Sequence, residues 1–476
     1  MVSKKKRYFI MLFSIFGILM MALCTGNKAE EMPKLEPIIE YSKLDIGSSP
    51  LSIKSKEPIH VVKDKKDSDL RRLITKANRT YVIRYNHTVD SLIVPEGSQI
   101  YFDGGSISGK IYFANTYLSG KVRLTGSELS GKISNSCFHS GWLCFGDGVR
   151  DDANNINSMI AICDSIVFQE GTYLLTSEHR PDSLIVSSLH ENVKSHIGIF
   201  QSNKHLQGVG NVVFLTRDEN TTCSIYSKPY DITCSITNVS ISDITFKIEN
   251  DGKNFNEFKH TIKILGVNGL TIENCTFHDF WGDAICLSHY GDTPSTGERT
   301  RNSNVRLLNN VIYGGSHNNR NGISIISGEH VLVDGNKIYE TSKKGMPGAI
   351  DVEPNNSAYT VDDIIISNNI INSSKGSGIC LVSPGEGAPL YNITIMGNRI
   401  SKVSYGVSVF INSNNSTANF SIYDNVFSET YKDYRFSGRG DSKNWKIQNN
   451  SSTPSPDRDF KKGLHVSSLS IEHNNK

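Results

Sequence analysis

Three carboxylates stand at related points of one repeated phrase. Asp283 precedes AICL (284–287), Asp351 lies inside AIDV (349–352), and Glu353 follows it. Nearby in the chain are Arg299, Arg301, Arg320, Asn321, Lys343, Lys344, His289, Tyr290 and His317. Two chemistries use such a set. β-Elimination on a uronate needs the sugar carboxylate neutralised, a base for the adjacent C–H and an acid for the leaving oxygen. Ca²⁺ held by Asp283, Asp351 and Glu353 would neutralise it, or Arg320 would do so directly. Lys343, Lys344 or His289 would serve as base, and Tyr290 or His317 as acid. Arg299, Arg301, Arg320 and Asn321 would bind the polymer. Hydrolysis needs only a carboxylate pair, which Asp283, Asp351 and Glu353 supply.

Each residue also has a plain structural reading. Asp351 and Glu353 would be turn-stabilising groups beside Pro354, and Asp283 a strand-edge turn residue. Arg320 would be an inter-coil ion pair with Glu353 or Glu329. His289, Tyr290, His317, Lys343 and Lys344 would be solvated loop side chains.

What must position these groups is a repeat. The runs LTIENCTF, VRLLNNVI, VLVDGNKI, IIISNNII, ITIMGNRI, FSIYDNVF and WKIQNN align on Cys275, Asn310, Asn336, Asn369, Asn398, Asn425 and Asn450. A second series, AICL, GISI, AIDV, GICL and GVSV, usually follows about ten residues later. Two short strands per repeat cannot bury a core alone and must stack on neighbours, which predicts a parallel β-helix. The asparagine column is expected to be a structural ladder. In the second series the flanking apolar residues should point inward and the middle one outward. Cys286, Ser324, Asp351, Cys380 and Ser408 then form one outward column. The long segments 288–304 and 353–363 would wall a groove beside it.

Residues 81–140 are Gly-rich and alternate like strands, with Ser-Gly-Lys at 108–110, 119–121 and 130–132. They read as a small β module, either a minor β-helix or a meander. Stacked Lys110, Lys121 and Lys132 would make a basic ladder; the plainer reading is edge lysines that discourage strand addition. Residues 25–80 read as a tether, 141–450 as the main helix and 451–476 as a polar tail. A helix following Asp151-Asp152, with Ile156, Met159 and Ile160 on one face, would cover the open N-terminal end of the rod.

The first 24 residues combine Lys4, Lys5, Lys6 and Arg7 with an apolar run over 8–23 that ends at Cys24. This is a signal-peptide pattern, too short for a comfortable span. Export to the periplasm or cell surface of a bacterium is expected, either after ordinary cleavage or with a lipid on Cys24 anchored in the outer membrane. Loss of the four cations takes the formal balance from +2 to −2. Nothing global then argues for nucleic-acid or membrane binding. Residues 298–344 carry seven Lys/Arg against four Asp/Glu, which suits an anionic ligand or a solvated face. The cysteines show no metal spacing and read as buried single thiols, with a Cys223–Cys234 bridge as the alternative.

GDGVRDDANNINSMI followed by VFQEGTYLL resembles the opening of the pectate-lyase-like right-handed parallel β-helix superfamily. NRNGISIISGEHVLVDGNKIYET and MPGAIDVEPN are also similar to phrases recurring there. The resemblance covers about residues 140–430. It implies an all-β, right-handed solenoid with a capping helix, in which Asp147, Asp151 and Asp152 are turn and capping residues. The superfamily holds polysaccharide lyases, glycoside hydrolases, epimerases and non-catalytic adhesins. The Asn-Thr-Asp, Asp-Asp and Gly-His-Gly set of polygalacturonases is missing from the expected positions. The first expectation is therefore a monomeric, exported lyase cleaving a uronate-containing polysaccharide such as a glycosaminoglycan, pectate or alginate, with Ca²⁺ as cofactor. A carboxylate-based hydrolase and a carbohydrate-binding rod are the alternatives.

Overall fold

The computed structural model describes residues 61–178, 194–217, 223–229, 234–249, 255–289, 301–315, 318–341, 343, 345–384, 387–388, 390–412 and 415–453, with strand pieces between 459 and 472. The signal segment and Cys24 lie outside the described residues. So do 25–60 of the expected tether.

The chain forms a right-handed parallel β-helix with three faces. A coil begins with a seven-residue strand such as Val361–Ser367 on the first face. It turns tightly into a three-residue strand such as Ile370–Asn372 on the second. A corner then leads to the third face, as at Ser377–Ser383. Among the described residues the faces hold thirteen, eleven and ten strands.

The asparagine column is what makes the first turn repeat. Asn369 Nδ2 donates to Asn398 Oδ1 at 3.0 Å and to the Val333 carbonyl at 2.9 Å, while its Oδ1 accepts the Asn336 backbone N–H at 2.9 Å. The same ladder runs from Asn310 to Asn450. Each buried amide thus saturates turn groups that no water reaches. The residue before each asparagine has positive φ, and the column there reads Asn309, Gly335, Asn368, Gly397, Asp424 and Asn449. These types tolerate that region best.

Inside, side chains stack in files. On the second face Tyr173, Phe214, Phe246, Phe277, Ile312, Ile338, Ile371, Ile400 and Phe427 follow one another in register. On the third face Ile262, Ile285, Ile323, Ile350, Ile379 and Val407 do the same. All are essentially without solvent exposure, and each contributes about 1.5–3 kcal/mol relative to an exposed side chain.

The region expected as a β module is a minor β-helix rather than a meander. Its pairs are parallel: Thr80 sits opposite Gln99, Gln99 opposite Tyr117, and Gly109 opposite Ser127. No lysine ladder forms. The register places Lys110 beside Glu128, an ion pair of 3.4 Å, and Lys132 beside Ala114. The Ser-Gly-Lys repeat has a backbone cause instead. Gly109, Gly120 and Gly131 have φ of 114°, 77° and 87°, and a Cβ on each would run into the carbonyls of Val89, Phe102 and Phe113.

Two expected boundaries shift. Within the tether, Val61–Lys63 pairs with Thr80–Ile83, and Leu70 and Ile74 enter the core. Short apolar pieces in a Lys-rich stretch hid this. Within the expected tail, Ser451–Thr453 pairs with Val426–Ser428, and Leu469–Glu472 with part of Asp441–Gln448. The alternation of LSIE continues the coil pattern there.

The helix is Ala153–Ile162, buried through Ala153, Ile156, Met159, Ile160 and Ile162. It covers Ser195–Ile199, the first strand of the third face, and packs also on Ser127–Ile133. It therefore lies between the minor helix and the rod. Asp151 Oδ1 accepts the Ala153 N–H, Asp152 takes the N–H groups of Phe145 and Gly146, and Asp147 those of Val149 and Arg150. These are turn and capping roles, as the resemblance implied. Cys163, Cys275, Cys286 and Cys380 are buried thiols, and no bridge joins Cys223 to Cys234. Among the described residues no helix is long and apolar enough to cross a membrane.

Candidate active site

The third face carries the expected outward column. Cys286, Ser324, Asp351, Cys380 and Ser408 are neighbours in successive strands, while Ile350 and Val352, on either side of Asp351, enter the core. Strand alternation alone puts the Asp351 carboxyl on the outer side. It is nevertheless fully buried, because side chains from the preceding corner close over it.

Arg320 is the centre of that closure. Its Nη1 donates to Asp283 at 3.1 Å and to Ser324 Oγ at 3.2 Å. Its Nη2 donates to Asp351 at 3.3 Å and to Glu353 at 3.0 Å. Asn321 completes the net: its N–H donates to Asp283 Oδ1 at 3.1 Å, and its Nδ2 to Asp351 Oδ2 at 3.1 Å. One guanidinium thus ties three carboxylates, from the coil before its own and the coil after. Asp283 and Asp351 have no exposure, whereas Arg320 and Glu353 side chains keep 13% and 20%. A polymer would therefore meet Arg320 and Glu353 first.

The environments drive the carboxyls apart. Burial penalises the charge of Asp351, Glu353 beside it adds repulsion, and Arg320 does not offset both, so its pKa stands well above the usual range. Asp351 Oδ1 has no donor, as suits a protonated carboxyl facing Glu353. Burial acts on Asp283 too, but His260 and Arg320 outweigh it and hold the pKa below the ordinary value. Burial opposes the His260 charge; Cys286 and Asp283 overcome it and raise the pKa to about 9. The Arg320 pKa rises because its three carboxylates outweigh its burial. The result is one carboxyl whose charge is disfavoured and one whose charge is favoured, set between two cations, with Arg320 and Glu353 at the solvent side.

Of the residues singled out in the sequence, Asp283, Arg320, Asn321, Asp351 and Glu353 come together. The others that are described do not join them. The Lys343 ammonium lies 4.1 Å over the Phe255 ring. His289 packs on Tyr359 past the other end of the third-face strand. Arg301 pairs with Glu329 at 2.7 Å. Tyr290, Arg299, His317 and Lys344 lie outside the described residues.

Two members were missed. His260 Nδ1 is 3.1 Å from Asp283 Oδ2, and Lys263 stands beside Cys286 in the outward column. Their signal is HTIKI (260–264), the same phrase one coil earlier without its usual small residue.

Ca²⁺ does not fit the three carboxylates as arranged. It takes about six to eight oxygens. Here the Asp283 oxygens already serve Arg320, Asn321 and His260, and a guanidinium already touches all three groups. His260, Asp283 and Cys286 also offer ligand atoms within 4.8 Å of one another. That mixed nitrogen, oxygen and sulfur set suits a softer ion than calcium.

No family model matches the chain, and no curated protein matches it in sequence. Solved structures are similar in fold. An endo-xylogalacturonan hydrolase from Aspergillus tubingensis matches at 11% identity and TM-score 0.48, over 69% of this chain and 91% of that one. A hyperthermoactive exopolygalacturonase from Thermotoga maritima matches at 14% and 0.46, over 70% and 86%. The Streptococcus pneumoniae surface protein and adhesin matches at 14% and 0.37, over 69% and 97%. Both enzymes and an adhesin stand among these neighbours, and identities this low carry no active site across.

Proposed function

We propose that the protein hydrolyses glycosidic bonds of an anionic polysaccharide, with Asp351 as proton donor and an ionised partner, Asp283 or Glu353, activating water. The observation that supports this is the arrangement around Arg320: three carboxyls from the two flanking coils on one guanidinium, one with its pKa pushed up and one with its pKa pushed down. Buried charges are costly to keep, and an aliphatic stack would serve stability as well. Carboxyls with pKa values pushed apart are what acid–base hydrolysis needs. The positive balance over 298–344 supports an anionic polymer. By the signal-peptide reading of residues 1–24, the protein meets that polymer outside the cytoplasm.

Elimination is the second reading, and Lys263 favours it. This half-buried amine sits one coil from Cys286 in the outward column, where a base would be wanted.

The test is incubation with pectate, alginate, hyaluronan, chondroitin sulfate and heparan sulfate, following reducing ends and ultraviolet absorbance together. Hydrolysis releases reducing ends without absorbance. Asp351→Asn should lower the rate by about a hundredfold or more. Absorbance rising with reducing ends would replace this reading by elimination. Activity that EDTA removes and Ca²⁺ restores would bring the calcium site back. Binding without turnover would leave a carbohydrate-binding rod.

A further inference from the structure

Downstream of the carboxylates the outward face changes character. The register continues from Asp351 through Cys380 and Ser408 to Arg435. At the strand spacing of about 4.8 Å this is roughly 14 Å along the rod. The floor between is low, a buried thiol and a buried hydroxyl. It ends at a cluster of rings. The Arg435 guanidinium lies 4.9 Å over the Tyr405 ring, and Tyr431 meets Tyr405 edge-on at 6.3 Å. Tyr431 and Phe410 are 70% and 43% exposed, and the Lys432 ammonium is 5.6 Å from the Tyr431 ring.

The two arginines of this face differ in one respect. Arg320 holds three carboxylates; Arg435 holds none among the side chains described, and its Nε is buried without a hydrogen-bond partner. A half-buried guanidinium fixed on a ring, with no carboxylate on it among the described side chains, has the planar donor geometry that suits an anion. The adjoining cleft, about 580 Å³, does not supply one specifically, since Lys375 and Lys402 there balance Glu340 and Glu429.

We propose that Tyr405, Tyr431 and Arg435 form a subsite for an anionic sugar unit, the rings taking its apolar face and the guanidinium its carboxylate or sulfate. This rests on the reading of the third face as the polysaccharide track, and it adds the place where charge is read.

The experiment is gel retardation of the purified protein in the same five anionic polymers and in neutral xyloglucan, with rates measured alongside. Wild type should be held by at least one anionic polymer and not by xyloglucan. Arg435→Gln should weaken that retention about tenfold, the loss of one charge-assisted contact. It should also flatten the salt dependence, raise KM and spare kcat, with Arg435→Lys intermediate. Tyr431→Ala, an exposed change that leaves the core untouched, should weaken retention as well. Melting temperatures should stay unchanged in both. Retention of Arg435→Gln and Tyr431→Ala equal to wild type overturns the subsite, as does a wild type held by no anionic polymer. A wild type that binds through Arg435 yet turns nothing over would sink the hydrolase reading and leave the subsite standing.

Discussion

At His260, burial and charge pull in opposite directions, and charge wins. The folded pKa is raised from 6.5 to about 9, so the folded state holds its proton more tightly than the unfolded chain. The stability this contributes, on the order of 3 kcal/mol, is fully present below about pH 6.5 and is lost as pH rises through 9. Asp351 acts in the same sense, since its raised pKa makes ionisation unfavourable to the fold. Asp283 acts oppositely: its lowered pKa adds stability above about pH 4 that disappears in acid. The melting temperature should therefore fall between pH 6.5 and 9, and the fall should shrink in His260→Gln. A melting temperature flat across that window would mean His260 is not charged in the fold. Asp283, Asp351 and Glu353 were legible in the sequence because stacking forces the residues around equivalent phrases into line. The grip of Arg320 was only half legible: a pair with Glu353 was foreseen as its structural reading, the triple contact was not. A guanidinium's reach across coils depends on corner geometry that spacing does not record. His260 hid because its coil replaces Ala or Gly by Thr261.

Among the elements, the helix Ala153–Ile162 shows how a strand edge is closed. Asn157 Nδ2 donates to the His196 carbonyl at 2.7 Å, and its Oδ1 accepts the Gly198 N–H at 3.0 Å. One side-chain amide thus replaces a neighbouring strand for Ser195–Ile199, whose edge would otherwise be open to another chain. Asn157→Ala leaves a buried donor and acceptor unpaired, each costing about 1–3 kcal/mol. Thermal melting should drop accordingly, and Asn157→Asp should not restore it, because a carboxylate cannot donate to the His196 carbonyl. A variant as stable as wild type would show that solvent or another group closes this edge. The helix and its apolar face were readable from three-to-four spacing behind an Asp pair. Its Asn157 was not, since an amide's partner on a distant strand leaves no local pattern. The three-residue strands of the second face were readable only through the asparagine that precedes them, being too short for periodicity.

On the scale of the whole molecule, the minor helix and the rod share one core. A single cluster of buried side chains runs from Leu70 to Ile447, and residues 57–476 form one compact unit. Phe138–His139 pairs with Ser165–Phe168 and so extends the first face of the rod into the N-terminal coils. In a solenoid each coil is stabilised chiefly by its neighbours, and a terminal coil needs a cover. A chain starting at residue 136 would lose the strand Ser127–Ile133 from the face of the helix, leaving part of the helix's buried face without its packing. Burial of such side chains is worth about 1.5–3 kcal/mol each. That fragment should melt well below the full protein and scatter light as it associates through its uncovered end. The separation into an independent module and a main helix, suggested by the shift from Gly-rich repeat to longer coils, predicts the contrary: two transitions in the full chain and an unaltered one in the fragment. Calorimetry of both distinguishes them. One shared transition would mean that the N-terminal coils belong to the fold supporting the third face and its buried carboxylates, whereas two would make them a detachable domain.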